Sequence, residues 1–321
     1  MRLEPLKARL RSLPRVAAWP QMMELIERAA QRDDLQSVLD FPAVACQAVG
    51  GAADAGMQGA AAVFCSLLSI HLVDDLLDDD PRGDFKRLGA GPTANLALAF
   101  QAAGHQMLDD PGIAPAVRAD LHGCLARMAL ATAFGQHLDS REVAGEPEYW
   151  QVVAAKTPPL FGAALRLGAL LGGAPAAVAE QLDRLGETLG KFVQVGDDLT
   201  DALGKPASAD WSRRANNLAL LYAMTADHPA REEFLALSAA SHDPEALAAA
   251  QKLLLASGAA SYCGFKMIEL SREAHAILAG IPLADRRPLA GLLAEQIRPL
   301  ERILCSLGVE LPLTPAVPAP A

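Results

Sequence analysis

At 321 residues the chain is long enough for one large domain or two ordinary ones. Hydrophobic residues make up 51% of it but aromatics only 5%, the apolar content being mostly Ala and Leu, which favours helix and argues against an all-β fold. Lys plus Arg total 28 against 38 Asp plus Glu, a balance of −10 that repels nucleic-acid backbones, and no basic stripe offsets it.

Helical periodicity recurs from the N-terminus onward, broken by short Pro/Gly stretches, and no period-two run is long enough for a strand. The pattern predicts helices near 20–32, 43–50, 56–80, 93–108, 113–138, 148–156, 160–172, 176–203, 211–225, 243–256, 258–280 and 284–307. The expected fold class is all-α, a single large helical bundle over residues 1–310 around a deep apolar cavity, with no domain boundary because the breaks are loop-length. Residues 311–321, with Pro312, Pro315, Pro318 and Pro320, read as a disordered, polyproline-like tail. The first nineteen residues alternate basic and apolar side chains, which supports neither a secretory signal nor an anchor. Gly56–Val73 carries no formal charge, but polar residues interrupt it and it runs into a run of Asp, so it reads as a buried core helix and not as a membrane span. Cys46, Cys65, Cys124, Cys263 and Cys305 are odd in number and lack metal spacing, so they read as buried thiols of a cytoplasmic protein.

Two acidic clusters carry the chemistry. In the segment His71–Gly83, Asp74, Asp75 and Asp78 stand at i, i+1 and i+4, which puts them on one edge of a helix that Pro81 must end. Carboxylates at a helix C-terminus face the negative end of its dipole and call for cations; hard oxygen donors with room for water and phosphate suit Mg²⁺. Asp79 and Asp80 point off that edge and read equally well as a solvated helix end. After a second apolar helix, Asp197, Asp198 and Asp201 repeat the spacing. Facing helices would bring six carboxylates to the mouth of one apolar cavity, a geometry for a metal-bridged diphosphate with a long hydrocarbon inside. Between the clusters, Lys156 and Thr157 precede Pro158-Pro159, which break the helix and free an ammonium and a hydroxyl for the same diphosphate.

The ordered set VDDLLDDDPRG at 73–83, GQHLD at 135–139, KTPPLF at 156–161, QVGDDLTDALGKPASADW at 194–211 and SGAASY at 257–262 resembles the trans-isoprenyl diphosphate synthases, or polyprenyl synthetases, and the class I terpene synthases that share their fold. The resemblance spans roughly residues 35–300. It implies an all-α bundle, usually a homodimer, in which both aspartate motifs bind three Mg²⁺ and an allylic prenyl diphosphate whose ionisation leaves a carbocation. By motif position it implies Asp74, Asp75, Asp78, Asp197, Asp198 and Asp201 as metal ligands. Lys156 and Lys205 would contact the diphosphate, Thr157 would support the leaving group and Gln194 would lie by the cation. Gln136, Asp139, Arg82 and Phe161 would lie near the substrate. It also implies that Cys65, Ser66 and Ser69, on the helix before the first motif, line the hydrocarbon path; being small, they suit a C15 or C20 chain.

Chain-elongating members hold isopentenyl diphosphate with a basic stretch before the first helix of the motif region. Here Val38, Leu39, Asp40 and Phe41 stand in that place. Paired arginines after the first motif are reduced to Arg82-Gly83, and a later Gly-Lys reads Arg214-Ala215. The leading expectation is therefore a terpene-synthase-like enzyme that ionises one prenyl diphosphate without a conventional isopentenyl site. The alternative is chain elongation through a relocated basic site of Arg82, Lys86 and Arg87; a third reading is a noncatalytic subunit of a synthase. No nucleic-acid partner and no membrane span are expected.

Overall fold

The computed structural model describes residues 3–29, 38–141, 143–213 and 216–306. The proline-rich tail, Arg214 and Ala215 lie outside them. The described residues form helices and turns with no strand, as the Ala- and Leu-rich composition requires. In chain order the helices are α1 (Leu3–Arg11), α2 (Pro14–Ala17), α3 (Pro20–Ala29), α4 (Phe41–Ala48), α5 (Ala53–Asp78), α6 (Phe85–Leu88), α7 (Ala90–Leu108), α8 (Pro115–Asp139), α9 (Glu146–Lys156), α10 (Pro158–Leu171), α11 (Ala176–Leu203), α12 (Asp210–Arg213), α13 (Leu218–Thr225), α14 (Arg231–Ala239), α15 (Pro244–Ala256), α16 (Ala259–Gly280) and α17 (Arg287–Ser306).

Many of these helices open on proline: Pro14, Pro20, Pro115, Pro158 and Pro244 stand first, and Pro42 and Pro147 second. The ring's fixed φ suits the first turn, where its missing N–H has no intrahelical partner to lose. Four helices were not expected: α1 and α2, whose short apolar stripe Leu6, Leu10 and Val16 is buried, the single turn α6, and α14. The helix expected over 211–225 is two, because Asn217 turns extended and caps α13, its side-chain oxygen accepting from the N–H groups of Ala219 and Leu220.

The chain gathers into two compact units, where the sequence suggested no boundary. The first comprises Met1–Ala133, Pro159–Glu187 and Ile277–Ala294; the second Phe134–Pro158, Thr188–Ala276 and Glu295–Ala321. Each is assembled from separated segments, so no linker marks them. In the first unit α5 packs against α4 and α7. Ala60 through Cys65 are fully buried, and burying a side chain such as Phe64 contributes about 1.5–3 kcal/mol. Among the described residues α5 is the one helix long and apolar enough to cross a membrane, by length and composition alone. The close packing rests on missing side chains: a Cβ at Gly168 of α10 would lie 2.1 Å from the Pro42 carbonyl oxygen of α4. In the second unit α13 packs against α9, α14 and α15, and α14 against α15. Trp211 and Phe234 are buried there with ring centroids 6.1 Å apart.

Candidate active site

In the first unit, α5 delivers Asp74, Asp75 and Asp78 in its last two turns, all half-buried, with the Oδ1 atom of Asp74 buried. The helix stops before Pro81 is reached. Asp79 takes a left-handed conformation (φ 51°), and the N–H groups of Asp79 and Asp80 both return to the Asp75 carbonyl, a pattern that satisfies carbonyls at a helix end. Asp is among the few residues besides Gly that tolerate this conformation. Gly83 follows because a Cβ there would come within 2.9 Å of Asp75 Cβ and closer still to the Phe85 ring.

The two carboxylates that left the shared edge have cationic partners. Lys86 Nζ lies 2.6 Å from Asp79, and Arg82 donates to Asp80 through its backbone and its guanidinium, which lowers the Asp80 pKa. Arg87 pairs with Glu24 and Asp84, and Arg28 also donates to Asp84. Arg82, Lys86 and Arg87, the alternative's relocated basic site, are thus each held by carboxylates, and the Arg82 side chain is 89% exposed. Val38, Leu39 and Phe41 are buried core residues. Phe161 is buried as well, its ring edge-on to Phe41 at 5.3 Å. Cys65 and Ser66 pack where α7 comes close at Gly104, and the Ser66 hydroxyl donates back to the Ala62 carbonyl. Ser69 is also buried.

The second cluster, on α11 in the second unit, divides by helix face. Asp197 and Asp201, four residues apart, are exposed, whereas Asp198 is 2% exposed. Asp198 accepts three hydrogen bonds: from the Tyr149 hydroxyl at 2.6 Å, the Leu218 backbone N–H at 2.8 Å and Gln194 Nε2 at 2.9 Å. Burial pushes its pKa up to about 7, against the lowering effect of these donors. Both oxygens of Asp198 thus face donors within the second unit, whereas the oxygens of Asp197 and Asp201 lie on the exposed face of the helix. Gln194 is fixed at both ends, its amide nitrogen on Asp198 and its Oε1 accepting from Thr157 Oγ1 at 2.5 Å.

Beside this line, Lys156 Nζ lies 2.6 Å from Oδ2 of the buried Asp139. Asn216 donates to the same residue's Oδ1 and backbone oxygen, and Asn217 donates to the Asp198 backbone oxygen and to Asp210. Gln136 stands three residues before Asp139 on α8, and Lys205 is exposed after α11. Sequence reasoning missed Tyr149, Asn216, Asn217 and Asp210. The signal available for Asn217 was its place before the apolar run Leu218–Leu221, a helix-start pattern; Tyr149 meets a carboxylate 49 residues away, for which sequence offers no local sign.

The donor chemistry fits Mg²⁺ in one way. Among the described residues no three His, Cys, Asp or Glu side chains form a ready ligand set. Mg²⁺ does not require one, since it is typically held by one or two carboxylates with waters and substrate phosphates. Half-buried Asp74, Asp75 and Asp78 and exposed Asp197 and Asp201 offer such oxygens.

The family model of polyprenyl synthetases matches residues 47–254, a stretch containing both clusters. A short chain isoprenyl diphosphate synthase of Methanothermobacter thermautotrophicus is 28% identical over 80% of this chain and 82% of its own length. A nonaprenyl diphosphate synthase of Mycobacterium tuberculosis is 32% identical over 48% of each chain. The crystal structure of a polyprenyl synthetase from Streptomyces coelicolor superposes with a TM-score of 0.76, covering 94% of this chain and 95% of that one; at 21% identity this is a likeness of fold.

Proposed function

Because this chain belongs to the polyprenyl synthetase family, prenyltransferases of the class I isoprenoid-diphosphate type, we propose that it elongates an allylic prenyl diphosphate of 15 or 20 carbons with isopentenyl diphosphate. The observation that carries this reading is the family match across both aspartate clusters. The relatives, named as diphosphate synthases of several chain lengths, support elongation over the terpene-synthase-like expectation.

We assign Asp74, Asp75 and Asp78 in one unit, and Asp197 and Asp201 in the other, as the carboxylates that hold Mg²⁺. When bound, Mg²⁺ neutralises the diphosphate as it leaves. Lys156, steadied by Asp139 at 2.6 Å, supplies a fixed ammonium for the diphosphate oxygens. Thr157 holds Gln194, whose amide oxygen presents a negative dipole to the developing allylic cation.

The second diphosphate would be taken by Arg82, Lys86 and Arg87. Their present ion pairs are on the exposed surface, where each contributes only about 0–1 kcal/mol, so an incoming diphosphate can displace the carboxylates. One observation favours ionisation without elongation as a second reading: Val38, Leu39 and Phe41 are buried and apolar where elongating members carry cations. We further propose a cytoplasmic homodimer; Cys46, Cys65, Cys124 and Cys263, free and buried, and the exposed Leu98 of α7 and Leu130 of α8 support it.

Diphosphate release from geranyl, farnesyl and geranylgeranyl diphosphate in the presence of isopentenyl diphosphate, with and without Mg²⁺, tests the reading. Mg²⁺-dependent release from the C15 or C20 substrate is expected; no release from any of the three would overturn it.

A further inference from the structure

We propose that Tyr149 is a positioning residue for the prenyl-transfer reaction, acting through Asp198 to set which end of the Gln194 amide is presented; the inference rests on the function proposed above. Tyr149, on α9, is 1% exposed, so its ring touches no substrate. Its hydroxyl donates to Asp198 Oδ2 at 2.6 Å, a distance characteristic of a hydrogen bond to a charged acceptor. The other oxygen, Oδ1, accepts from Gln194 Nε2 at 2.9 Å, one helical turn earlier on α11.

This bond decides the polarity of the amide. When ionised, the Asp198 carboxylate only accepts and cannot pair with the amide oxygen, so it holds the nitrogen of Gln194 inward and the oxygen outward. The outward oxygen is where the Thr157 hydroxyl donates, at 2.5 Å, next in sequence to Lys156. Tyr149, Asp198, Gln194 and Thr157 therefore form one directed chain of donors and acceptors within the second unit. The Leu218 N–H also holds Oδ2. Two donors on that oxygen prevent the carboxylate from turning, and with only the backbone donor left it can swing and release the amide.

Tyr149→Phe keeps the ring and its edge contact with Trp150, whose centroid lies 5.1 Å away, and deletes the hydroxyl alone. The test is a double-mutant cycle of Tyr149→Phe and Gln194→Leu on the full chain with farnesyl diphosphate, isopentenyl diphosphate and Mg²⁺, reading kcat, KM and thermal midpoint. The expected result for Tyr149→Phe is a kcat about 10- to 100-fold lower, the loss associated with one hydrogen bond to a charged group, with KM for farnesyl diphosphate changed less than about 3-fold. The double variant should be no slower than Gln194→Leu alone. Unchanged kcat in Tyr149→Phe, a loss confined to KM, or losses that multiply in the double variant would overturn the proposal, the last marking a merely structural role. If the wild-type protein releases no diphosphate, the functional reading itself fails and the proposal falls with it, an outcome distinct from an active enzyme indifferent to Tyr149.

Discussion

Asp197 and Asp198 are adjacent, yet one is exposed and the other enclosed, since successive residues on a helix point about 100° apart. The spacing i, i+1, i+4 was legible in the sequence, but which member turns inward depends on what packs against α11, and that is decided by Tyr149 and Leu218 from elsewhere in the chain. The two positions should therefore respond differently to truncation. Asp198→Ala leaves the Tyr149 hydroxyl and the Leu218 N–H buried without an acceptor, so urea unfolding should show a loss of about 2–5 kcal/mol. Asp197→Ala should stay within about 0.5 kcal/mol of wild type while losing Mg²⁺-dependent turnover. Equal stability of the two variants would contradict the division of tasks. Burial also pushes the thiols of Cys65, Cys124 and Cys263 up to about 12. At pH 8 only about one in 10⁴ of such groups is thiolate, so these three should resist a thiol-specific reagent in the native protein and react on unfolding. Their buried character was readable from spacing and composition; native labelling of any of them would refute it.

At the scale of elements, the helices were largely legible because apolar periodicity and proline punctuation agree. The missed pieces have local causes. Asn217 caps a new helix inside the stretch 211–225 that was expected as one, and α6 is a single turn held by ion pairs of Arg87 and Lys86, too short to carry a period. The end of α5 was expected at Pro81, but the left-handed Asp79 ends it sooner, which leaves Asp79 and Asp80 free of the shared edge to pair with Lys86 and Arg82. Glycines separate packing from propensity. Gly168→Ala gains about 1 kcal/mol of helix propensity but drives a Cβ into the Pro42 carbonyl, so a net loss of about 1–3 kcal/mol is expected. Gly291→Ala, in α17 with nothing within 4 Å of the added carbon, should raise stability by about 0.5–1 kcal/mol. Thermal denaturation of both variants checks this; a stabilised Gly168→Ala would mean that α10 and α4 do not approach as described.

For the whole molecule, composition predicted helices, and the ordered motifs pointed to the family to which the chain belongs. What the motifs left open is the fate of the second substrate. The missing basic stretch at Val38–Phe41 argued for a cyclase-like enzyme, whereas a relative that matches over 80% of the chain is named as a diphosphate synthase. Two or three charged hydrogen bonds to a diphosphate are together worth about 3–9 kcal/mol, so elongation requires other cations, and Arg82, Lys86 and Arg87 are the ones that follow directly on the first aspartate cluster. The direct measurement is incorporation of labelled isopentenyl diphosphate during incubation with farnesyl diphosphate and Mg²⁺, with the chain length of the product determined. The account predicts label in a prenyl diphosphate longer than the starting one. Release of diphosphate from farnesyl diphosphate with no label incorporated, yielding a hydrocarbon or alcohol, would contradict elongation and establish the enzyme as one that ionises its substrate alone.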